Sequence, residues 1–395
     1  MSARARLTVG VVGAGAMGSG IALVAASAGH TVLLADVDAS AVDRARDSIR
    51  QTLARDVGKG RASQEAADAT LGRISGAEAS AAGMDAFADC DVVIEAVLED
   101  LVVKRDLFST LERVVRQECI LATNTSSLSI AAIAGGCRRP ERVIGVHFFN
   151  PATIMPLVEI VPGIATDGEV TGRARSFVEA LGKLTVLASD TPGFIVNRVA
   201  RPYYGESLRL LEEGVAEAAT IDWAMRELGG FRMGPFELMD FIGNDVNYAV
   251  TRSVYEGFYQ DPRYRPAITQ RRLVEAGMYG RKRERGYFDY RAGAQGPEPV
   301  KDDVLGRAMV DRVVAMLVNE AVDAVHLRVA SAYDIELAMT KGVNYPRGLL
   351  AWGDQIGPAR VLARLEELQA EYGEDRYRPS PLLRRRVRAG EPLLA

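Results

Sequence analysis

Short apolar runs recur through the first half of the chain, at 7–12, 31–35, 91–97, 120–122, 143–146, 157–161 and 185–188. They are rich in Val and Ile and too short for helices, so they predict buried strands. Between them the pattern turns helical. A small-residue segment covers 16–28 and a charged one 39–80, and Leu101, Phe108, Leu111 and Val115 make an apolar stripe. Shorter helical segments follow around Ile130 and Ile133 and over 172–181. Strands alternating with helices predict an α/β domain of Rossmann type over residues 1–188. Beyond it the strand pattern stops. Long helical faces over 189–292 and again over 304–395 flank a Gly/Pro/charge linker, GAQGPEPVKDD, at 293–303. The predicted architecture is an α/β Rossmann-type N-terminal domain followed by two all-α, repeat-related C-terminal domains.

The repeat is visible at a constant offset of 114 positions. Ile221, Ala224, Met225, Gly234, Asp240, Ile242 and Gly243 recur as Ile335, Ala338, Met339, Gly348, Asp354, Ile356 and Gly357. Arg198 and Glu206 recur likewise as Arg312 and Glu320. So dense a set of identities marks a duplicated helical domain.

Composition changes this picture little. The 395 residues are 48% hydrophobic and 25% charged, with a net charge of −4, which describes an ordinary globular protein and argues against a nucleic-acid partner. Residues 7–35 carry no Asp, Glu, Lys or Arg, yet six glycines from Gly10 to Gly29 break the run and Asp36 and Asp38 close it. A strand, a glycine turn, a buried helix and a second strand fit better than a membrane span. The three cysteines, Cys90, Cys119 and Cys137, form no CxxC. They suit reduced thiols in a cytoplasmic protein and offer no metal site.

The candidate chemistry begins at G-A-G-A-M-G, with Gly13, Gly15 and Gly18. A lone GxGxxG is a weak signal, but this one follows a predicted strand and opens a helix at Ala16 and Met17, with Asp36 standing 21 residues beyond Gly15. The glycines permit a tight turn and close approach of backbone to a pyrophosphate, at a helix N-terminus that favours anions. A carboxylate at Asp36 accepts hydrogen bonds from ribose hydroxyls and repels a 2′-phosphate, and no Arg or Lys follows until Arg44. NAD is therefore expected over NADP. The charge-rich 39–80 segment is either an exposed helical pair or a surface for an anionic ligand portion such as a CoA phosphate. The strand at 91–97 delivers Glu95 and Glu99 to the ligand edge of the sheet. The polar run T-N-T-S-S at 123–127 either caps the following helix or presents hydroxyls to a nicotinamide and its substrate. His147 ends one apolar run and Glu159 lies inside the next. Side by side, they make either a general base oriented by a carboxylate or a buried histidine satisfied by a structural one.

These stretches resemble the L-3-hydroxyacyl-CoA dehydrogenase family. The motifs are GAGAMGSGIA, VVIEAVLEDLVVKRDLF, ATNTSSLSI, RVIGVHFFNPATIMPLVEIV, DTPGFIVNR and MGPFELMDFIG, in the family's order. The C-terminal NYPRGLLAWGDQIG and YGEDRYRPSPLLR resemble the subgroup with a duplicated C-terminal domain, nearest to 3-hydroxyadipyl-CoA dehydrogenases of phenylacetate breakdown. That subgroup has a longer spacer between its helical copies, replaced here by a short linker.

The resemblance implies NAD-dependent oxidation of the 3-hydroxyl of an (S)-3-hydroxyacyl-CoA, in aromatic catabolism or fatty-acid β-oxidation. It places the catalytic histidine on His147, its carboxylate on Glu159, and the substrate contacts on Ser126 and Asn197. Cofactor contacts fall on Asp36, Glu99, Lys104, Asn150 and Lys282, the last within an altered G-R-K-R-E-R-G. The family's CoA-binding Ser and Lys find no match in the first domain's helical pair. The expected partners are an acyl-CoA substrate and no nucleic acid or membrane. The second helical copy, which has Asp311 where Asn197 stands in the first, is expected to form an intrachain pseudo-dimer with the first, with further homo-oligomers open through other surfaces.

The rival readings are a 3-hydroxybutyryl-CoA dehydrogenase or acetoacetyl-CoA reductase, a free-acid dehydrogenase, an NADP enzyme, and a non-catalytic NAD-binding protein. A free-acid enzyme would typically use a Lys base, and a non-catalytic protein would be expected to have lost one of the four catalytic positions.

Overall fold

The computed structural model describes residues 6–78 and 83–394 and divides into two units, Met1–Thr191 and Pro192–Ala395. In the first unit the apolar runs form strands β1 (Thr8–Val12), β2 (Thr31–Asp36), β3 (Ile74–Glu78), β4 (Val92–Glu95), β5 (Ile120–Thr123), β6 (Val143–Phe148), β7 (Leu157–Pro162) and β8 (Leu184–Leu187). Helices α1 (Ala16–Ser27), α2 (Ala39–Gly58), α3 (Gln64–Gly72), α4 (Leu101–Val114), α5 (Ile130–Ala134) and α6 (Gly168–Ala180) connect them.

One sheet results, in the order β3-β2-β1-β4-β5-β6-β7-β8. Every pairing is parallel except β6 with β7. Chain direction along the sheet reverses between β1 and β4, the place where doubly wound sheets hold ligands at their carboxyl ends. Val9, Val11, Ile21, Leu34 and Ile94 are fully buried in the core, which explains why residues 7–35 carry no charge. Gly18 must be glycine, because a Cβ there would stand 1.8 Å from the Gly13 carbonyl oxygen. That distance sets how closely α1 packs on β1.

Two expectations fail. The segment 39–80 is not helical throughout: its helices end at Gly72, and β3 follows as an edge strand. ISGAE offers Ile74 as its one strong β-former, and the rest of β3 gave no strand signal. Residues 79 and 80 lie outside the described residues. Nor does the 123–127 run cap the next helix. Ser129 does, accepting from Ala132 N, while Asp190 accepts from Ile130 N and Ala131 N at 2.9 Å each.

The second unit is helical. It contains α7 (Val196–Val199), α8 (Arg201–Glu212), α9 (Ala218–Trp223), α10 (Pro235–Ile242), α11 (Asn244–Gly257) and α12 (Ile268–Glu275). Then come α13 (Asp303–His326), α14 (Ala332–Gly342), α15 (Leu349–Ile356), α16 (Pro358–Tyr372) and α17 (Pro381–Ala389). The repeat maps α9 to α12 onto α14 to α17. Ile221 and Ile335 are both fully buried, and Gly243 and Gly357 take the same positive φ, 106° and 97°. Helix α13 is buried over most of its length, Val313 to Val318 included, and carries Arg312, Asn319 and Glu320 into the interior.

Two fully buried carboxylates hold the repeats together reciprocally. Glu206 in α8 accepts from Arg312 Nε (3.1 Å), Arg376 Nε (2.6 Å) and Tyr377 Oη (3.1 Å). Glu320 in α13 accepts from Arg198 Nε (2.6 Å), Tyr264 Oη (2.5 Å) and Arg263 Nη1 (3.3 Å). Burial alone would raise both carboxyl pKa values, but the flanking arginines outweigh it and hold both below the usual range.

Candidate active site

The dinucleotide end of the first unit is built by β1, the glycine turn and α1. Gly13 has φ +103°, and a Cβ there would lie 2.4 Å from the Ala96 carbonyl oxygen. Gly15 is the N-cap of α1 and faces open space, so backbone amides and the helix dipole are exposed at Ala16 and Met17. Asp36, at the end of β2, stands beside this turn: Oδ2 accepts from Ala14 N at 2.7 Å and Oδ1 from Asp38 N at 3.1 Å. An unobstructed helix N-terminus beside a carboxylate fits a dinucleotide with free ribose hydroxyls.

Next along the sheet edge is a buried charge network. Glu95, at the end of β4, is 0% exposed and Lys104 in α4 is 1% exposed. Lys104 Nζ lies 2.5 Å from Glu95 Oε1 and 3.2 Å from Glu99 Oε2. Thr123 Oγ1 donates to Glu95 Oε2 at 2.7 Å, and Val97 N donates to Oε1 at 2.7 Å. Glu99 in turn gathers the polar run: it accepts from Thr125 Oγ1 (2.7 Å), Ser126 N (2.9 Å), Ser127 N (3.2 Å) and Ser127 Oγ (2.9 Å). Burial pushes the Glu99 carboxyl up, but Lys104 and these donors outweigh it and lower its pKa. The 123–127 run is thus a loop wrapped on an ionised carboxylate.

Strands β6 and β7 pair with His147 opposite Glu159. In consequence His147 Nδ1 lies 2.6 Å from Glu159 Oε2, with the histidine 5% and the glutamate 0% exposed. The contact fixes the ring's orientation and directs Nε2 away from the carboxylate. The Phe149 ring packs 4.6 Å from the imidazole. Asn124 Oδ1 accepts from Phe148 N at 2.8 Å, tying the Ser126 loop to the strand that carries His147.

The first unit thus brings together His147 with Glu159, Ser126 with Glu99 and Lys104, and Asp36 with the glycine turn. Asn150 is exposed just after β6. Asn197, on α7, and Lys282 belong to the second unit, where Lys282 Nζ pairs with Asp245 at 2.6 Å. Charges on α2 are mostly answered locally, as in Arg44–Asp38. A groove of about 860 Å³ beside α2 is lined by Arg55, Lys59, Arg61, Ile154 and Lys183. From the sequence, Thr123 and Asn124 are expected only to cap a helix or present hydroxyls and Asp190 has no role, whereas the structure makes all three anchors. Their signal, polar residues at strand ends, does not distinguish a clamp from a turn.

Known proteins resemble this chain along most of its length. The family description "3-hydroxyacyl-CoA dehydrogenase, NAD binding domain" matches residues 8–191. The description "3-hydroxyacyl-CoA dehydrogenase, C-terminal domain" matches twice, at 193–290 and 309–393. A 3-hydroxyadipyl-CoA dehydrogenase of Escherichia coli (strain K12) is 42% identical over an alignment of 465 positions, gaps included, covering 96% of this chain and 97% of that protein. A 3-hydroxybutyryl-CoA dehydrogenase of Bradyrhizobium diazoefficiens is 44% identical, covering 74% of this chain and 97% of that one. The crystal structure of a 3-hydroxybutyryl-CoA dehydrogenase from Escherichia coli K12 superposes with a TM-score of 0.91 at 40% identity, covering 98% of this chain and 99% of that one.

Proposed function

The chain belongs to the 3-hydroxyacyl-CoA dehydrogenase family of NAD-dependent oxidoreductases, and from that premise we propose the part each residue plays. The observation that carries the reading is His147 facing Glu159 at 2.6 Å across β6 and β7. His147 Nε2 takes the proton of the substrate's 3-hydroxyl, and Glu159 stabilises the imidazolium that forms. Bound NAD⁺ supplies the acceptor for the hydride that leaves C3, so the products are the 3-oxoacyl-CoA, NADH and a proton. Ser126 and Asn197 hold the substrate oxygen. Glu99, set by Lys104, fixes the Ser126 loop beside the nicotinamide. Gly13, Gly15, Ala16, Met17 and Gly18 receive the pyrophosphate, and Asp36 accepts from the adenosine ribose. Asn150 and Lys282 are further cofactor contacts on the resemblance alone.

The substrate is a 3-hydroxyacyl-CoA, for which the relatives' names offer 3-hydroxyadipyl and 3-hydroxybutyryl forms. Residues 304–395 serve as an intrachain counterpart to residues 189–292, standing in for a partner subunit. The reciprocal Glu206 and Glu320 clusters support this, because contacts related by exchange of copies characterise an isologous interface. The enzyme works in the cytoplasm. Three free cysteines suit that compartment, and none of the described helices is long and apolar enough to cross a membrane. Acetoacetyl-CoA reduction followed at 340 nm tests the activity, with NADH and NADPH compared. Turnover with NADH and at least tenfold less with NADPH is expected. No turnover with either, or equal use of both, refutes the reading.

A further inference from the structure

Arg201 is a buried cation with no anion among the described residues. It begins α8, is 7% exposed, and makes no ion pair with any described carboxylate. Nη1 donates to Thr251 Oγ1 at 3.1 Å, Nε is buried without a partner, and Nη2 bonds to no described residue. The guanidinium lies 4.9 Å over the Tyr204 ring. Burial dominates its environment, lowering its pKa from the usual arginine value, and the neighbours that act on it are the phenols of Tyr204 and Tyr345. Elsewhere in the second unit the buried arginines are answered: Arg198 and Arg263 by Glu320, Arg312 and Arg376 by Glu206. A buried guanidinium left unpaired is costly, so it marks a place where a negative charge is expected.

The neighbours point to the same charge. Tyr345 Oη is buried and has no hydrogen-bond partner among the described residues, and its ring stands 5.7 Å from that of Tyr203, which in turn stands 5.8 Å from the Tyr204 ring beneath Arg201. Guanidinium N–H groups and a phenol hydroxyl are donors, and no described acceptor uses Arg201 Nε or Nη2. Such a set matches a carboxylate, which accepts only.

Position supplies the rest. Arg201 follows Asn197 by four residues, and Ala200 between α7 and α8 is right-handed helical (φ −79°, ψ −8°). With helical backbone across this junction of α7 and α8, the two residues stand about 6 Å apart along the axis. In a 3-hydroxyadipyl chain, three carbon–carbon bonds separate C3 from the distal carboxyl carbon, roughly 4 Å at about 1.5 Å per bond. A chain whose 3-oxygen is held at Asn197 reaches Arg201 with its far carboxylate.

We propose that Arg201, with Tyr345 from the second helical copy, is the recognition site for the ω-carboxylate of a dicarboxylic 3-hydroxyacyl-CoA. This rests on the 3-hydroxyacyl-CoA reading above and on Asn197 as its substrate contact. It gives the duplicated copy a direct part in specificity, through one tyrosine.

The test compares kcat/KM for 3-hydroxyadipyl-CoA and 3-hydroxyhexanoyl-CoA, which have six-carbon chains ending in carboxylate and methyl. The wild type should favour the adipyl substrate by about 10²-fold or more, because a site built for a polar group is left unpaired by the apolar analogue. Arg201→Met should lower that ratio about 10²-fold, and Tyr345→Phe several-fold. A wild-type ratio near one overturns the proposal without recourse to any variant. So does a ratio that Arg201→Met leaves intact while both rates fall together, which is the mark of a structural role. Absence of activity on both substrates in the wild type would instead refute the 3-hydroxyacyl-CoA reading itself.

Discussion

Replacing Glu320 by Gln tests whether the reciprocal clusters hold the second unit together. Glu320 is fully buried and receives Arg198 Nε at 2.6 Å, Tyr264 Oη at 2.5 Å and Arg263 Nη1 at 3.3 Å. Glutamine keeps the volume and one acceptor but removes the charge. Arg198 and Arg263 then face Asp323 alone, at 3.3 and 3.0 Å. Breaking a buried pair by removing one partner costs about 3–5 kcal/mol, and the surviving Asp323 favours the lower end. For a unit of this size each kcal/mol shifts the midpoint by about 2–4 °C, so Tm should fall by roughly 6–12 °C. Scanning calorimetry at neutral pH reads this directly. Glu366→Gln, which removes an exposed partner of Arg384, should move Tm by no more than about 2 °C.

The acid limb adds a second readout. The Glu320 carboxyl is held below its ordinary value, so its stabilisation is complete above the unfolded value of about 4.3 and is lost as pH falls through the folded one. The wild type should therefore lose more stability than Glu320→Gln on descending below about pH 4. A Tm within 2 °C of wild type for Glu320→Gln, or parallel acid limbs, would refute the reasoning.

Two more predictions concern the cofactor. Asp36→Ala should narrow the preference for NAD over NADP at least tenfold in kcat/KM, and an unchanged preference would remove Asp36 from cofactor selection. Glu95→Gln leaves the buried Lys104 with Glu99 as its remaining carboxylate and loosens the Ser126 loop. KM for NAD should rise roughly tenfold with a smaller change in kcat, and a KM equal to wild type would leave Glu95 a purely structural anchor.

Much of this was legible in the chain because the relevant signals are local. β1, the glycine turn, α1 and Asp36 lie within 30 consecutive residues, and their periodicity and spacing survive without tertiary information. His147 and Glu159 could be paired because two short apolar runs separated by a turn have few ways to pack. The edge strand β3 was illegible, since Gly76 and Ala77 carry no strand signal and its place is set by packing on β2. The role of the 123–127 run was illegible for a different reason. Hydroxyls four residues before a helix read as a cap, and that they wrap Glu99 depends on a contact 26–28 positions away. Arg201 gave no sign of itself, because an unanswered charge is defined by everything around it.

The central claim is that His147, oriented by Glu159, is the general base. The most direct test is the single-turnover and steady-state rate of acetoacetyl-CoA reduction by NADH in His147→Gln, with NADH affinity measured on the same protein by fluorescence. The account predicts a rate roughly 10²–10⁴-fold below wild type with NADH binding retained. A loss of less than about tenfold, with NADH still bound, would contradict it.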